Sequence, residues 1–332
     1  MQQKRREQYI WLWAGFNIER KRPLVGKGKC MQMYQYHNRS IGTSFSIILK
    51  GQHMDGFHSL WSKPYMAGKH AEEYWMQDYE VLTMILSALM WRKHNGGIRL
   101  CADAEARAFI EKLGLAHIWD LGIEEITVSE AVPEKVFWAA GKLYSLKKMQ
   151  MPAVMVDLDL IIWKDIRDII KDTDICAIHR EGIFPDVYPG KEFFHMKPEY
   201  QFDPDWSFEV LPVNTCMLYI ADEAFKNYYV DSSITFMENC LETEENLCHM
   251  VFAEQRLLAM CAEKQGKQIS SFFPGSAQIE NQDIFTHLWG YKNILKFNYK
   301  EREAFNRKMY DRIVREFPEE ETILKRLPIS GL

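Results

Sequence analysis

The chain has 332 residues, enough for one large or two ordinary domains with a sizeable core. Hydrophobic residues make up 47% and charged residues 26%, the balance of a soluble globular protein. The net charge of −5 excludes a global basic field for nucleic acid, and no run of about 18 apolar residues is available to span a membrane.

The seven cysteines (Cys30, Cys101, Cys176, Cys216, Cys240, Cys248, Cys261) are odd in number and lack zinc-ligand spacing. Cys101, Cys176 and Cys216 sit inside apolar runs and read as small buried hydrophobes. Such usage points to a reducing compartment, hence a cytoplasmic protein.

Residues 1–53 differ from the rest. They are basic (Lys4, Arg5, Arg6, Arg20, Lys21, Arg22, Lys27, Lys29) and lack sustained periodicity, with one short strand candidate at Ser44–Leu49. The apolar run Ile10–Phe16 is too short for a signal-peptide core. This stretch reads as an extension, either poorly ordered and outside the native domain or a basic arm touching anionic lipid at the inner membrane face. Met54 then opens a single domain over 54–332: a nucleotide-binding part to about 180, an acceptor part over about 181–295, and a C-terminal helix within about 299–327.

From Gly56 the pattern alternates. Phe57–Ser62 is a strand running into a Lys63-Pro64 loop. A helix is expected over Ala71–Arg92 from apolar residues at Tyr74, Val81, Leu82, Ile85, Leu86 and Leu89, stopped by Asn95-Gly96-Gly97. Ile98–Asp103 is a second strand, Ala104–Leu113 a helix, Ile123–Val128 a third strand, and Pro133 opens a helix through Met149. The apolar run Ala153–Val156 then ends in Asp157-Leu158-Asp159. A strand over Thr173–His179 precedes about thirty aperiodic, aromatic-rich residues, Glu181–Val210, a length usually functional inside a domain. Strand Val213–Ile220, helices over Asp222–Asn239 and Glu245–Glu263, strand Lys267–Phe273, a loop Gly275–Asp283 and a terminal helix Lys300–Phe317 complete the chain. The order predicts an α/β fold with a mixed, mostly parallel sheet flanked by helices, whose ligands gather at strand carboxyl ends. Ser62, Asp103, Asp157 and Asp159 all fall at such ends.

Residues two apart on an extended segment share a face, so Asp157 and Asp159 can converge on a hard divalent cation carrying phosphate oxygens. The plainer alternative is a strand end whose aspartates cap the next helix or turn. Val154–Asp159, Asn214-Thr215, Glu254-Gln255 and His287-Leu288-Trp289-Gly290 together resemble the GT-A-fold D-x-D glycosyltransferases over about residues 56–295, in the glycogenin-like and capsular-polysaccharide branches. The resemblance implies a GT-A-like, bacterial-type polysaccharide-building enzyme that uses Mn²⁺ or Mg²⁺ and a nucleotide-sugar donor, UDP-sugar favoured, with a saccharide acceptor. It implies a metal held by Asp157, Asp159 and His287, with Lys292 at the diphosphate. Lys292 stands one position earlier than the lysine of the glycogenin-like branch, and the Pro-Trp that follows there is absent.

A nucleotide-sugar diphosphate needs a cation to neutralise its leaving group. Ser62 and Asp103 are candidates to bind base or ribose, and Trp61 or Tyr65 to stack on the base. Tyr188, Phe193, Phe194 and Trp206 offer faces to acceptor rings. An inverting enzyme would need a carboxylate base, Glu254 or Asp205. Each has a bland reading: His287 as a core histidine, Glu254-Gln255 as an exposed helical pair, Asp103 as a helix cap, the aromatics as core cover. Two rivals stand beside the transferase. One is a haloacid-dehalogenase-type phosphohydrolase with Asp157 as nucleophile, although that motif normally opens its domain. The other is a non-catalytic nucleotide- or sugar-binding protein of the same fold.

Overall fold

The computed structural model describes residues 54–241, 243–276 and 283–332. The expectations for residues 1–53, including the Ser44–Leu49 strand and the lipid-touching arm, and for most of the Gly275–Asp283 loop lie outside the described residues.

Among the described residues, seven strands form the main sheet: β1 (Gly56–Leu60), β2 (Ile98–Ala102), β3 (Ile123–Glu125), β4 (Ala153–Val156), β6 (Ile175–His179), β7 (Met217–Ile220) and β8 (Ile269–Phe273), in the order β3-β2-β1-β4-β7-β6-β8. Four of the pairings are parallel; β7 alone runs against both its neighbours. A separate antiparallel pair joins β5 (Leu160–Ile162) to β9 (Phe285–His287). The fold is thus the α/β class read from the sequence, a mixed and mostly parallel sheet flanked by helices.

One face of the sheet is covered by α2 (Asp78–His94) and, outside it, α10 (Tyr299–Glu316). Twelve of the seventeen α2 residues are buried, so this helix is core all round rather than amphipathic. The Trp91 indole lies against Gly56, where an added Cβ would come within 2.6 Å of the ring. A single turn, α5 (Arg167–Ile170), links β5 to β6. The other face of the sheet carries α4 (Ala140–Lys148), α6 (Glu223–Glu238) and a long helix built from α7 (Leu247–Val251), a π-helical turn (Phe252–Arg256) and α8 (Leu257–Lys264).

Three expected elements change. Helix α2 begins at Asp78, not Ala71, because Gln77 and Glu80 form a reciprocal capping box. Pro64 does not sit in a loop; it enters the first turn of a short helix, α1 (Lys63–Lys69). Pro133 opens turns only, with the helix starting at Ala140. The chain lays β2 and β3 to one side of β1, then returns to place β4 on the other. A sheet of this kind opens a crevice at the carboxyl ends of the two strands flanking such a reversal, here β1 and β4.

Candidate active site

Strand β4 delivers Asp157 into that crevice. Its amide donates to the Cys216 carbonyl at 2.7 Å, extending the ladder with β7 by one position. The chain then turns, with Leu160 N donating to Asp157 O at 3.0 Å, and leaves as β5. The two aspartates therefore lie in a tight turn between two sheets, not on the extended segment expected. Leu158 packs against the core from this turn. Strand β9 pairs with β5 so that His287 stands opposite Leu160, and Leu288 N donates to Asp159 O at 3.0 Å. Ligand atoms of Asp157, Asp159 and His287 come within 4.8 Å of one another.

These groups are threaded by cations. Lys292, just inside α9 (Tyr291–Phe297), places Nζ 2.8 Å from Asp159 Oδ2, and His287 Nε2 lies 3.5 Å from Asp159 Oδ1. Lys142 Nζ lies 2.5 Å from Asp157 Oδ1 and 2.9 Å from Glu254 Oε1, which also accepts from Thr215 Oγ1 at 2.8 Å. Burial raises Asp157, against the pull of Lys142, to about 6. Burial acts the same way on Asp159, but Lys292 and His287 outweigh it and hold that carboxyl well below its usual range. Burial disfavours charge on His287, yet the neighbouring Cys216 and Asp159 leave the imidazole well above its ordinary value. Two carboxylates and an imidazole converging in this way fit a divalent cation, and an imidazole ligand suits Mn²⁺ better than Mg²⁺.

Glu254 sits in the π-turn, buried rather than on an exposed helix face. π-turns inside α-helices recur at functional sites because they push one residue out of register. The next residue, Gln255, accepts from Tyr188 Oη at 2.6 Å. The buried Arg256 guanidinium donates to Tyr188 O at 2.6 Å and to Phe208 O, pinning the Glu181–Val210 segment to the same turn. That segment is mostly core: Tyr188 and Phe194 are buried, the latter among Phe202, Phe236 and Phe252. Trp206 is half-buried with its indole donating to Tyr228 Oη, and Phe193 is exposed.

The remaining candidates lie outside the Asp157–Asp159–His287 cluster. Asp103 caps α3 (Ala104–Lys112) through Ala106 N and accepts from Ser62 N and Oγ at 3.0 and 2.8 Å, so both its oxygens are engaged inside the fold. Trp61 packs its Cβ against Gly141 at the start of α4. Asp205 is bound to Lys264 at 3.2 Å, ten residues along the long helix from Glu254, about 15 Å at helical rise. Tyr65, however, lines a cavity of about 210 Å³ together with Tyr74, Trp75, Glu80, Asp159 and Lys292. Sequence reasoning missed Lys142, Tyr74 and Trp75. The only signal for the last two was the Gln77-x-x-Glu80 box, which ends the strap bearing them before the helix begins.

Fold and site together define an α/β protein with an acidic–imidazole cluster, braced by two lysines, at the reversal point of its sheet. The chain belongs to a family of unknown function, DUF6734, whose model matches residues 54–326. No curated protein matches it. Solved structures similar to it include mouse xyloside xylosyltransferase 1 in its apo form, at 11% identity and a TM-score of 0.34 over 66% of this chain and 84% of that one. Another is the galactosyltransferase LgtC in complex with donor and acceptor sugar analogues, at 8% and 0.38 over 66% and 73%. A third is HddC from Yersinia pseudotuberculosis, at 10% and 0.35 over 73% and 97%. Superpositions this loose carry no argument about function.

Proposed function

We propose that the protein is a cation-dependent glycosyltransferase of GT-A type that moves a sugar from a nucleotide-sugar donor, a UDP-sugar in the first instance, to a saccharide hydroxyl. The observation that carries this reading is the convergence of Asp157, Asp159, His287 and Lys292 at the sheet's reversal point. In this reading the carboxylates and imidazole hold Mn²⁺ or Mg²⁺, which neutralises the leaving diphosphate. Lys292 supplies a further positive charge to the same phosphates. Tyr65, Tyr74 and Trp75, lining the cavity beside Asp159, form the wall for the base. Glu254 shares one oxygen between Lys142 and Thr215, which suits a group that sets the Lys142–Asp157 arm better than a freely acting base. The acceptor is assigned to the side of the Glu181–Val210 segment, where Phe193 remains exposed.

The test is a thermal-shift series with UDP, GDP and CDP, each with and without Mn²⁺. One nucleotide should stabilise the protein in a metal-dependent way, by about 2.7 kcal/mol at a hundredfold excess over Kd. Slow donor hydrolysis should accompany it and vanish in Asp159→Ala. No shift with any nucleotide would remove the transferase reading. Phosphomonoester hydrolysis requiring Asp157 would favour the phosphohydrolase, and nucleotide binding without turnover a binding protein.

A further inference from the structure

The cavity of about 210 Å³ beside Asp159 has three charged residues in its lining: Asp159, Lys292 and Glu80. The first two pair with each other at 2.8 Å. Glu80 comes from the first turn of α2, where the capping box fixes its place. Its backbone amide donates to the Gln77 side chain, and its Oε2 accepts from Gln77 N at 3.0 Å. Among the described residues no donor and no cation is paired with its second oxygen, Oε1. The carboxylate is therefore oriented by one oxygen and has the other to offer.

The polar groups around it cannot make the same distinction. Thr83 Oγ1 donates to Tyr79 O at 2.6 Å, so its proton is engaged. The Tyr65 and Tyr74 hydroxyls both donate and accept, and the rings of Tyr65, Tyr74 and Trp75 present faces on which any base can stack. An ionised carboxylate only accepts. It favours a base edge that presents an N–H and opposes one that presents a lone pair.

We propose that Glu80 is the specificity-determining residue for the base: Oε1 accepts from the N3–H of a uracil lying among Tyr65, Tyr74 and Trp75. Cytosine would turn an N3 lone pair to the same oxygen. Guanine presents two adjacent donors, which call for both carboxylate oxygens, and Oε2 is already engaged by Gln77. A cavity of about 150 Å³ takes benzene, so about 210 Å³ matches one pyrimidine ring better than a fused pair. The inference rests on the nucleotide-sugar reading proposed for the site.

The experiment is isothermal titration of the full chain, in the presence of Mn²⁺, with UDP, CDP, GDP and N3-methyl-UDP. Wild type should bind CDP and N3-methyl-UDP about 10–100-fold more weakly than UDP, the effect of one hydrogen bond to a charged group. Glu80→Gln keeps an oxygen for Gln77 N and sets an NH₂ where Oε1 was, so the capping box survives while the acceptor becomes a donor. In that variant the preference for UDP over CDP should vanish or reverse, with the nucleotide-free melting temperature showing that it folds. Tyr65→Leu should instead weaken all of these nucleotides by a similar factor. A UDP-to-CDP ratio unchanged in Glu80→Gln would overturn the proposal. So would equal binding of UDP and N3-methyl-UDP, or tighter binding of GDP, by wild type. Failure of every nucleotide to bind wild type would instead remove the nucleotide-sugar reading and this inference with it.

Discussion

At the scale of single residues, the core contains a histidine that is fully satisfied without charge. The Trp119 indole donates to His58 Nδ1 at 3.2 Å, so the proton sits on Nε2, which donates to Ser87 Oγ at 3.1 Å, and Ser87 donates to Leu160 O. Burial pushes His58 down to about 3. Its folded value lies below the unfolded one, so its stabilising contribution is present above about pH 6.5 and is lost as pH falls toward 3. From pH 7 to 5 this group alone should cost about 2 kcal/mol. His58→Gln, melted across the same range, should show a correspondingly flatter pH dependence than wild type. Lys142 makes a second prediction. Replacing it by Met leaves Asp157 and Glu254 buried without their counter-charge, a loss of about 3 kcal/mol in metal-free protein. Added Mn²⁺ should recover more stability in Lys142→Met than in wild type, and an equal gain in both would argue against a cation binding beside Asp157.

At the scale of elements, what the sequence made legible was what hydrophobic pattern controls. The apolar run of β4 could only be a buried strand, and the acids ending it had to meet the crevice. His287 was reached differently, through the resemblance of its His-x-x-Gly segment to the glycogenin-like branch, and not through hydrophobic pattern. Lys142 was not legible, because a lysine on a helix that also carries Lys147 and Lys148 looks like any solvent-facing cation; only the packing of α4 against β1, β2 and α6 turns it inward. The strap over residues 70–77 was misread because Tyr74 keeps helical spacing with Val81 and Leu82, and the capping box that interrupts it uses Gln, an uncommon N-cap. The Glu181–Val210 segment read as a candidate binding loop, yet its aromatics mostly serve a second core fastened by Arg256. Arg256→Met should therefore release a segment rather than the whole fold. Limited proteolysis should cut within 181–210 many times faster than in wild type, and protection equal to wild type would show that the aromatic packing suffices alone.

At the scale of the whole molecule, the C-terminal residues close back on the far end of the site. Ser330 donates to Asp78 at the start of α2, Arg307 donates to Gly331 O, and Leu327 to Ile329 line a cavity of about 250 Å³ whose opposite wall is Tyr74–Met76. The strap that borders the Asp159 cavity is thus backed by the end of the chain. Removing residues 327–332 should lower the melting temperature by several degrees, about 2–4 °C for each kcal/mol lost. In the same variant the nucleotide-induced shift should shrink more than the Mn²⁺-induced one, because the strap and not the cation cluster loses its support.

The two lysines that neutralise the aspartates have a last consequence. An incoming cation must first evict ammonium groups that already sit at 2.5 and 2.8 Å from its ligands, and those groups need a new anion to face. On the proposed function, the donor's diphosphate would supply one. Metal and nucleotide should consequently be heterotropic partners: each tightens the other by the same factor, a coupling in the range of about 1–3 kcal/mol. Isothermal titrations of Mn²⁺ at increasing UDP, and of UDP at increasing Mn²⁺, should close that thermodynamic cycle. On the proposed function, such a site would fill most completely when both species are present.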